Sequence, residues 1–350
     1  MMYFMVIISL IREHLMRFTA TFQSINQNAK RLLLVSLAVA MSFVPLVLST
    51  STAQAASTAT LLYEKTIDSR TLELYIYSPL TGAPVKSVRL IVPDGWSKKS
   101  ANKYPALWLL HGGLDTYESW MKNTTIKDMV NQHQVVVVMP DTSWCSSYTD
   151  WLDPTGPQWE TYLTSQLRDL LSNSYAVDGT NAAVAGISMG GLGSMKLAEQ
   201  HPDMFKAVAS FSGNVDPLHA YNGSVDGPDL PGLACASDWR RVWGDYNTPA
   251  QRTVWERNDP YMQADKLAQM KYVYISAGDG ITDPLNKNMF FFGDPVEKQV
   301  RAQADGLSNK LKGLNIPAET NFTVGTHTWP YWQKNLQQAL PGLLNAINVQ

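Results

Sequence analysis

The chain has 350 residues, 45% hydrophobic and 17% charged, with 28 Lys plus Arg against 30 Asp plus Glu and a formal net charge of −2. This composition excludes a disordered or coiled-coil protein, and the near-neutral balance offers no basic field for a nucleic-acid partner. Six His and two Cys are too few and too dispersed for a zinc cluster or a disulfide-dense scaffold, and neither a metal nor an organic cofactor is implied.

Lys30 and Arg31 precede an apolar run from Leu32 to Leu48 that ends in Ala53-Gln54-Ala55-Ala56. A basic stretch, an apolar stretch and a small-x-small site describe a secretory signal peptide over residues 1–55, cut after Ala55. The run nearly reaches membrane-spanning length, but Pro45 and the Ala-x-Ala site favour cleavage over anchoring. Met16 is an alternative start. The expected location is outside the cytoplasm, secreted or in the cell envelope. Residues 56–350 are enough for one large α/β domain. Export also makes a disulfide possible, and Cys145 with Cys235 is the single available pair.

In the mature part, 61–67, 71–78 and 87–92 read as short β-branched and aromatic strands. Residues 104–110 (YPALWLL) and 135–139 (VVVVM) are continuous apolar runs, as in strands covered on both faces. Helical spacing is found over 118–131 and 159–172, followed by a strand at 182–187, a helix at 192–201 and a strand at 207–211. Residues 214–258, rich in Gly, Pro, Asp and Trp, read as an insertion over the site. A strand at 271–277, a helix at 296–312, a strand at 319–324 and a helix at 329–347, interrupted at Pro341, complete the chain. Such alternation predicts a doubly wound, mostly parallel sheet with helices on both faces and antiparallel strands at its start.

Gly186-Ile187-Ser188-Met189-Gly190 fits G-x-S-x-G between a predicted strand and a predicted helix, a turn that lifts a serine hydroxyl above a sheet. Ser188 is the candidate nucleophile. On folds with this elbow the order is serine, acid, histidine. Only His201, His219 and His327 follow Ser188. His201 closes a helix and His219 lies in the insertion, whereas His327 directly follows the last strand, so His327 is the candidate base. For the acid, Asp279 and Asp283 follow the 271–277 strand and are favoured by pattern, although GDGITDP is also turn chemistry; Asp294 and Glu297 lie further on. Met189 and the loop at Gly113 and Leu114, after the YPALWLL strand, are positioned to offer backbone N–H groups to an oxyanion. His111, Trp120 and Trp329 are the candidate substrate contacts.

Tyr148–Trp151, Trp159–Ser165, the GISMGGLGSMKLAEQHPDMF run around Ser188, Trp255–Pro260 (WERNDP) and Gly325–Trp332 (GTHTWPYW) resemble the antigen-85 mycolyltransferase branch of the esterase-D-like α/β-hydrolases. The likeness extends from about residue 61 to the end. It implies the α/β-hydrolase fold and a triad of Ser188, Glu297 and His327, because the family acid is a glutamate on the helix after the penultimate strand. It further implies transfer of a mycolyl group between trehalose esters, or onto cell-wall glycan, through an acyl-serine. The loop His111-Gly112-Gly113-Leu114-Asp115 and the elbow Ser-Met-Gly-Gly depart from that branch toward plain esterases. Hydrolysis of acyl or acetyl esters of mycolate glycolipids is therefore the alternative, and a non-catalytic cell-wall binding protein on the same scaffold is a third reading.

Overall fold

The computed structural model describes residues 58–83, 85–218, 240–282 and 293–349. Three strands, β1 (Thr60–Asp68), β2 (Thr71–Tyr77) and β3 (Val85–Ile91), pair antiparallel in succession. Six more follow: β4 (Tyr104–Leu110), β5 (Val136–Pro140), β6 (Val177–Ile187), β7 (Phe205–Phe211), β8 (Tyr272–Gly278) and β9 (Glu319–Thr323). They run parallel to one another in one mixed sheet of order β1-β2-β3-β5-β4-β6-β7-β8-β9. All six therefore end at the same edge, where open α/β sheets collect their functional groups.

The apolar runs are explained by two cores, one on each face. Along β4, Ala106, Trp108 and Leu110 join one layer while Leu107 and Leu109 join the other; Val136 and Val138 of β5 oppose Val137 and Met139 in the same way. Each such buried Leu or Val contributes roughly 1.5–3 kcal/mol, so a strand apolar on both sides is stable only between two helical layers. Among the helices, α1 is Ser119–Asn123, α2 Ile126–Met129, α4 Met189–Gln200, α5 Arg240–Trp243, α6 Pro249–Asn258, α7 Gly293–Gly313 and α8 Trp329–Ala346. Between α2 and α4, α3 starts at Trp159–Thr161, passes through a π-helical turn at Tyr162–Leu167 and continues as Arg168–Ser174. α4 and α7 cover one face through Met195, Leu197, Ala304 and Leu307; α8 covers the other through Leu336, Ala339, Leu340 and Leu343. Among the described residues no helix is long and apolar enough to cross a membrane.

Three elements differ from the sequence pattern. The helix expected over 118–131 is split into α1 and α2 because the Thr124 hydroxyl donates back to Trp120 O and accepts from Ile126 N, competing with the helical ladder. β6 begins five residues before the expected strand, with an irregularity in its pairing to β4. α8 is not interrupted at Pro341. A proline inside a helix forfeits one N–H bond, but Leu336, Leu340, Leu343 and Leu344 on either side are buried on the sheet. Gly342 also lets the helix lie against the Tyr272 ring, which a Cβ there would strike. Tertiary packing outweighs the lost bond.

The specific stretches WETYLTS and WERNDP meet in the structure. Glu160, on α3, accepts from Lys196 Nζ at 2.5 Å, from His201 Nε2 at 3.0 Å and from Arg257 at 3.1 Å. Lys196 is wholly enclosed. Burial works against the Glu160 charge, yet Lys196, His201 and Arg257 hold the carboxyl well below its usual range. Glu160→Gln strands a buried ammonium and is expected to cost about 3–5 kcal/mol of unfolding free energy. Urea unfolding monitored by tryptophan fluorescence measures it; a loss under about 1 kcal/mol would mean that Lys196 finds another partner.

Asp259, in the same stretch, is also buried and receives N–H groups from Leu218 at 3.0 Å and Met262 at 3.2 Å. Burial and the neighbouring Asp216 raise its carboxyl to about 7. A folded-state value above the unfolded 3.8 favours the protonated form. The stability tied to this group is therefore complete below about pH 4 and is lost as pH rises to 7, by on the order of 4 kcal/mol. Asp259→Asn is expected to flatten this part of the stability–pH curve, and parallel curves for mutant and parent would refute it.

Candidate active site

Ser188 follows β6 directly and sits at φ 51°, ψ −118°, a region that costs an L-residue about 1–3 kcal/mol. The turn is held by Ser188 N donating to Phe211 O at 3.0 Å, and by Gly191 N and Leu192 N donating to Ser188 O at 2.9 and 3.1 Å. Its glycines are steric requirements: a Cβ on Gly186 would strike the Gly190 carbonyl, and one on Gly190 would strike the carbonyls of Leu110 and His111. α4 begins at Met189, so the positive end of the helix lies at the serine.

His327 comes four residues after β9, and Glu297 lies in the second turn of α7. His327 Nδ1 and Glu297 Oε2 are 2.6 Å apart. Glu297 is 1% exposed, and its other oxygen accepts from Gly278 N at 2.5 Å and from the Ser212 hydroxyl at 2.8 Å. Burial pushes this carboxyl up, but the bond and charge of His327, with Gly278 and Ser212, outweigh it and hold it below its ordinary range. Trp332 donates its indole N–H to Ser212 Oγ at 3.0 Å and meets the His327 ring edge-on at 5.1 Å. The imidazole is thereby fixed from two sides. Ser188, Ser212, Glu297 and His327 all stand at the carboxyl ends of β6–β9.

Asp279 does not join this group. Its Oδ1 accepts from Ile281 N at 2.8 Å and Gly325 N at 3.2 Å, so it is the turn former, tying the loop after β8 to the one that carries His327. Asp283 and His219 lie outside the described residues, and the Asp294 side chain is likewise not described. His201 bonds Glu160, far from the elbow in role.

Two expected substrate contacts are corrected. His111 is 0% exposed. Its Nδ1 is 2.8 Å from Gly112 O, and its Nε2 accepts from Thr142 N at 3.1 Å. Burial lowers the ring to about 4, so it stays neutral and acts as a brace for the loop after β4. Trp120 is also 0% exposed, packed edge-on against Trp329 at 5.3 Å and Phe211 at 6.2 Å. His111 is held inside by its polar bonds and Trp120 by the apolar layer on its face of the sheet. Trp329 is half-buried at the start of α8, beside Trp332.

In the braced loop Leu114 has φ 64° and is 78% exposed, and Asp115 N closes a turn on Gly112 O at 3.3 Å. Tyr148 OH donates to His111 O at 2.9 Å and steadies the same loop. Among the described residues, the N–H groups of Gly113, Leu114 and Met189 donate to no protein acceptor. Gly190 packs on the carbonyls of Leu110 and His111, so the loop after β4 lies beside the elbow. Ser212 and Gly278 carry no signal in the sequence, whereas Tyr148 and Trp332 lie in stretches that carry the family resemblance, without a role assigned to either. Cys145 is disulfide-bonded, and Cys235, its one possible intrachain partner, lies outside the described residues.

The Esterase family model matches residues 82–343, well over half the chain. The chain is 33% identical over 272 residues to diacylglycerol acyltransferase/mycolyltransferase Ag85B of Mycobacterium leprae (strain TN), spanning 71% of this chain and 78% of that protein. The chain belongs to the esterase family, in its Ag85 acyltransferase branch. A further member, Ag85A of Mycobacterium gordonae, is 36% identical over 255 residues, covering 67% of this chain and 70% of the relative. Solved structures show the same fold: Mycobacterium tuberculosis MPT51 (FbpC1) superposes with a TM-score of 0.61 at 22% identity, over 77% of this chain and 96% of that one. An S-formylglutathione hydrolase from Agrobacterium tumefaciens gives 0.63 at 19% identity, over 82% and 99%. This Ag85-type esterase is thus an α/β-hydrolase-fold enzyme of the serine acyltransferase or esterase kind.

Proposed function

We propose that the protein is an exported mycolyltransferase that moves a long fatty acyl group between trehalose esters, or onto cell-wall glycan, through an acyl-Ser188 intermediate. The observation that carries this reading is the 2.6 Å Glu297–His327 bond at the sheet edge that bears the Ser188 elbow, in a chain one-third identical to enzymes named mycolyltransferases. Residues 1–55 are the signal peptide removed on export; of the insertion read at 214–258, residues 219–239 lie outside the described ones.

His327 Nε2 takes the Ser188 proton as Oγ attacks the ester carbonyl. Glu297 keeps the Nδ1–H tautomer and stabilises the imidazolium that forms. The Met189 N–H, with that of Gly113 or Leu114, receives the developing oxyanion, and the helix terminus adds to it. The sugar alcohol leaves with the proton from His327. A second sugar hydroxyl, deprotonated in turn, then releases the acyl group from Ser188.

Incubating purified protein with trehalose monomycolate tests this. Trehalose dimycolate as the main product supports transfer; free acid alone would establish the carboxylesterase instead, and no turnover would leave a binding protein.

A further inference from the structure

Residues 211–213, where β7 ends and its loop begins, are linked to all three triad members yet supply none of the reacting groups. Phe211 O accepts from Ser188 N at 3.0 Å, and a Cβ on Gly213 would meet the Gly191 backbone at 2.9 Å, so this segment is pressed against the elbow. Between them, Ser212 donates its hydroxyl to Glu297 Oε1 at 2.8 Å and accepts from the Trp332 indole at 3.0 Å. Trp332 in turn stands edge-on to His327, with ring centres 5.1 Å apart. Ser212, Trp332 and Glu297 are all buried, so these bonds are shielded from water.

The chain of bonds has one direction. A serine hydroxyl carries one O–H and two acceptor sites, whereas an indole nitrogen only donates. With Trp332 Nε1 donating to Ser212 Oγ, the serine proton is the one left for Glu297. The backbone is equally committed: Ser212 sits at φ 48°, a left-handed conformation uncommon for a residue with a Cβ, and its N–H donates to Ser276 O at 2.7 Å. Conformations of this kind persist where the surroundings impose them, and they cluster at functional sites. Gly278 N reaches the same Glu297 oxygen at 2.5 Å, so Oε1 is held by two donors and Oε2 is left for His327 Nδ1 at 2.6 Å. We infer that Ser212 is a positioning residue, oriented by Trp332, that holds the Glu297 carboxylate on His327 Nδ1 while the imidazole takes the Ser188 proton. The inference rests on the triad reading above and adds to it the pair that aligns the acid. Ser212 exchanges no proton and touches no substrate. The imidazolium forms against a carboxylate whose far oxygen is already fixed, so no realignment is needed at the moment of transfer.

Ser212→Gly removes the hydroxyl at a φ that glycine adopts freely, and Trp332→Phe removes the indole N–H while keeping an aromatic ring beside His327. Hydrolysis of p-nitrophenyl octanoate by the purified enzyme reads both. Ser212→Gly is expected to lower kcat about ten- to a hundredfold, the worth of one hydrogen bond to a charged group, with KM within about threefold of the parent's. Trp332→Phe is expected to lower kcat about fivefold in the parent but less than about twofold in the Ser212→Gly background, because its N–H acts through that hydroxyl. The low-field Nδ1–H proton resonance of His327 should move upfield in Ser212→Gly, a shift that a serine needed only for the turn would not produce. A Ser212→Gly kcat within about threefold of the parent's, an unmoved resonance, or an equal Trp332→Phe loss in both backgrounds would overturn the proposal. Should Ser212→Gly fail to fold, Trp332→Phe decides alone, and an unmoved resonance there overturns it. Glu297→Gln in the same assay separates the two readings. If that variant keeps its turnover, the triad reading fails on its own; if it collapses while Ser212→Gly does not, only the role of Ser212 falls.

Discussion

Ser188→Ala is expected to lower ester turnover by about a thousand- to a million-fold, leaving only the residual rate that oxyanion stabilisation and binding supply. The size of the effect follows from what the hydroxyl does. Without Oγ there is no acyl-enzyme, so both transfer and hydrolysis lose their shared intermediate. The fold should survive, because the elbow is held by backbone bonds of Ser188 N and O and by the flanking glycines, none of which uses the hydroxyl. Stopped-flow release of p-nitrophenol should lose its burst while the thermal midpoint stays close to the parent's. Turnover kept within tenfold would place the nucleophile elsewhere.

Glu297→Gln is expected to reduce turnover by about ten-thousand-fold. Three donors converge on this carboxylate: Gly278 N, the Ser212 hydroxyl and His327 Nδ1. An amide has one acceptor oxygen. If that oxygen keeps Gly278 and Ser212, its NH2 faces Nδ1 and drives the proton to Nε2, where the ring can no longer accept from serine. Asp279→Asn keeps an oxygen for Ile281 N and Gly325 N, and a loss within about tenfold is expected from loosening of the His327 loop. Steady-state kinetics of the two variants decide between them: a larger loss in Asp279→Asn would make Asp279 the acid. The lowered carboxyl of Glu297 also ties it to stability. That contribution is present above the ordinary carboxylate range and lost as pH falls through the folded value, so Glu297→Gln should be less acid-sensitive than the parent.

The strand-to-helix bend at Ser188 and the place of His327 after the last strand were legible because their signals are local. G-x-S-x-G is set by contacts within five residues and the carbonyls just beneath them, and His327 was left by chain order. Which carboxylate meets His327 was not legible from pattern, because Asp279 and Glu297 both follow β8 and differ only in where α7 sets down. The second turn of that helix overlies the end of β8, bringing Glu297 to Gly278 N while Asp279 turns to its own loop. The family likeness pointed to Glu297; pattern alone pointed away.

His111 and Trp120 show the same limit from the other side. Both belong to the segment after β4, yet neither side chain is exposed. His111 satisfies its two nitrogens between Gly112 O and Thr142 N, and Trp120 fills the layer between Phe211 and Trp329. The gap at Thr124 and the unbroken run through Pro341 were likewise decided by whether the backbone found side-chain oxygens or a buried apolar face.

The amino-acid sequence by itself determined the alternating α/β order, the two-faced strands, the serine at its glycine-flanked bend and the histidine after the last strand, since each depends on residues close in the chain. Tertiary structure alone decided which carboxylate meets the imidazole and which aromatic and histidine side chains are sealed inside. These depend on groups up to hundreds of residues apart, brought together when two hydrophobic layers close on one sheet.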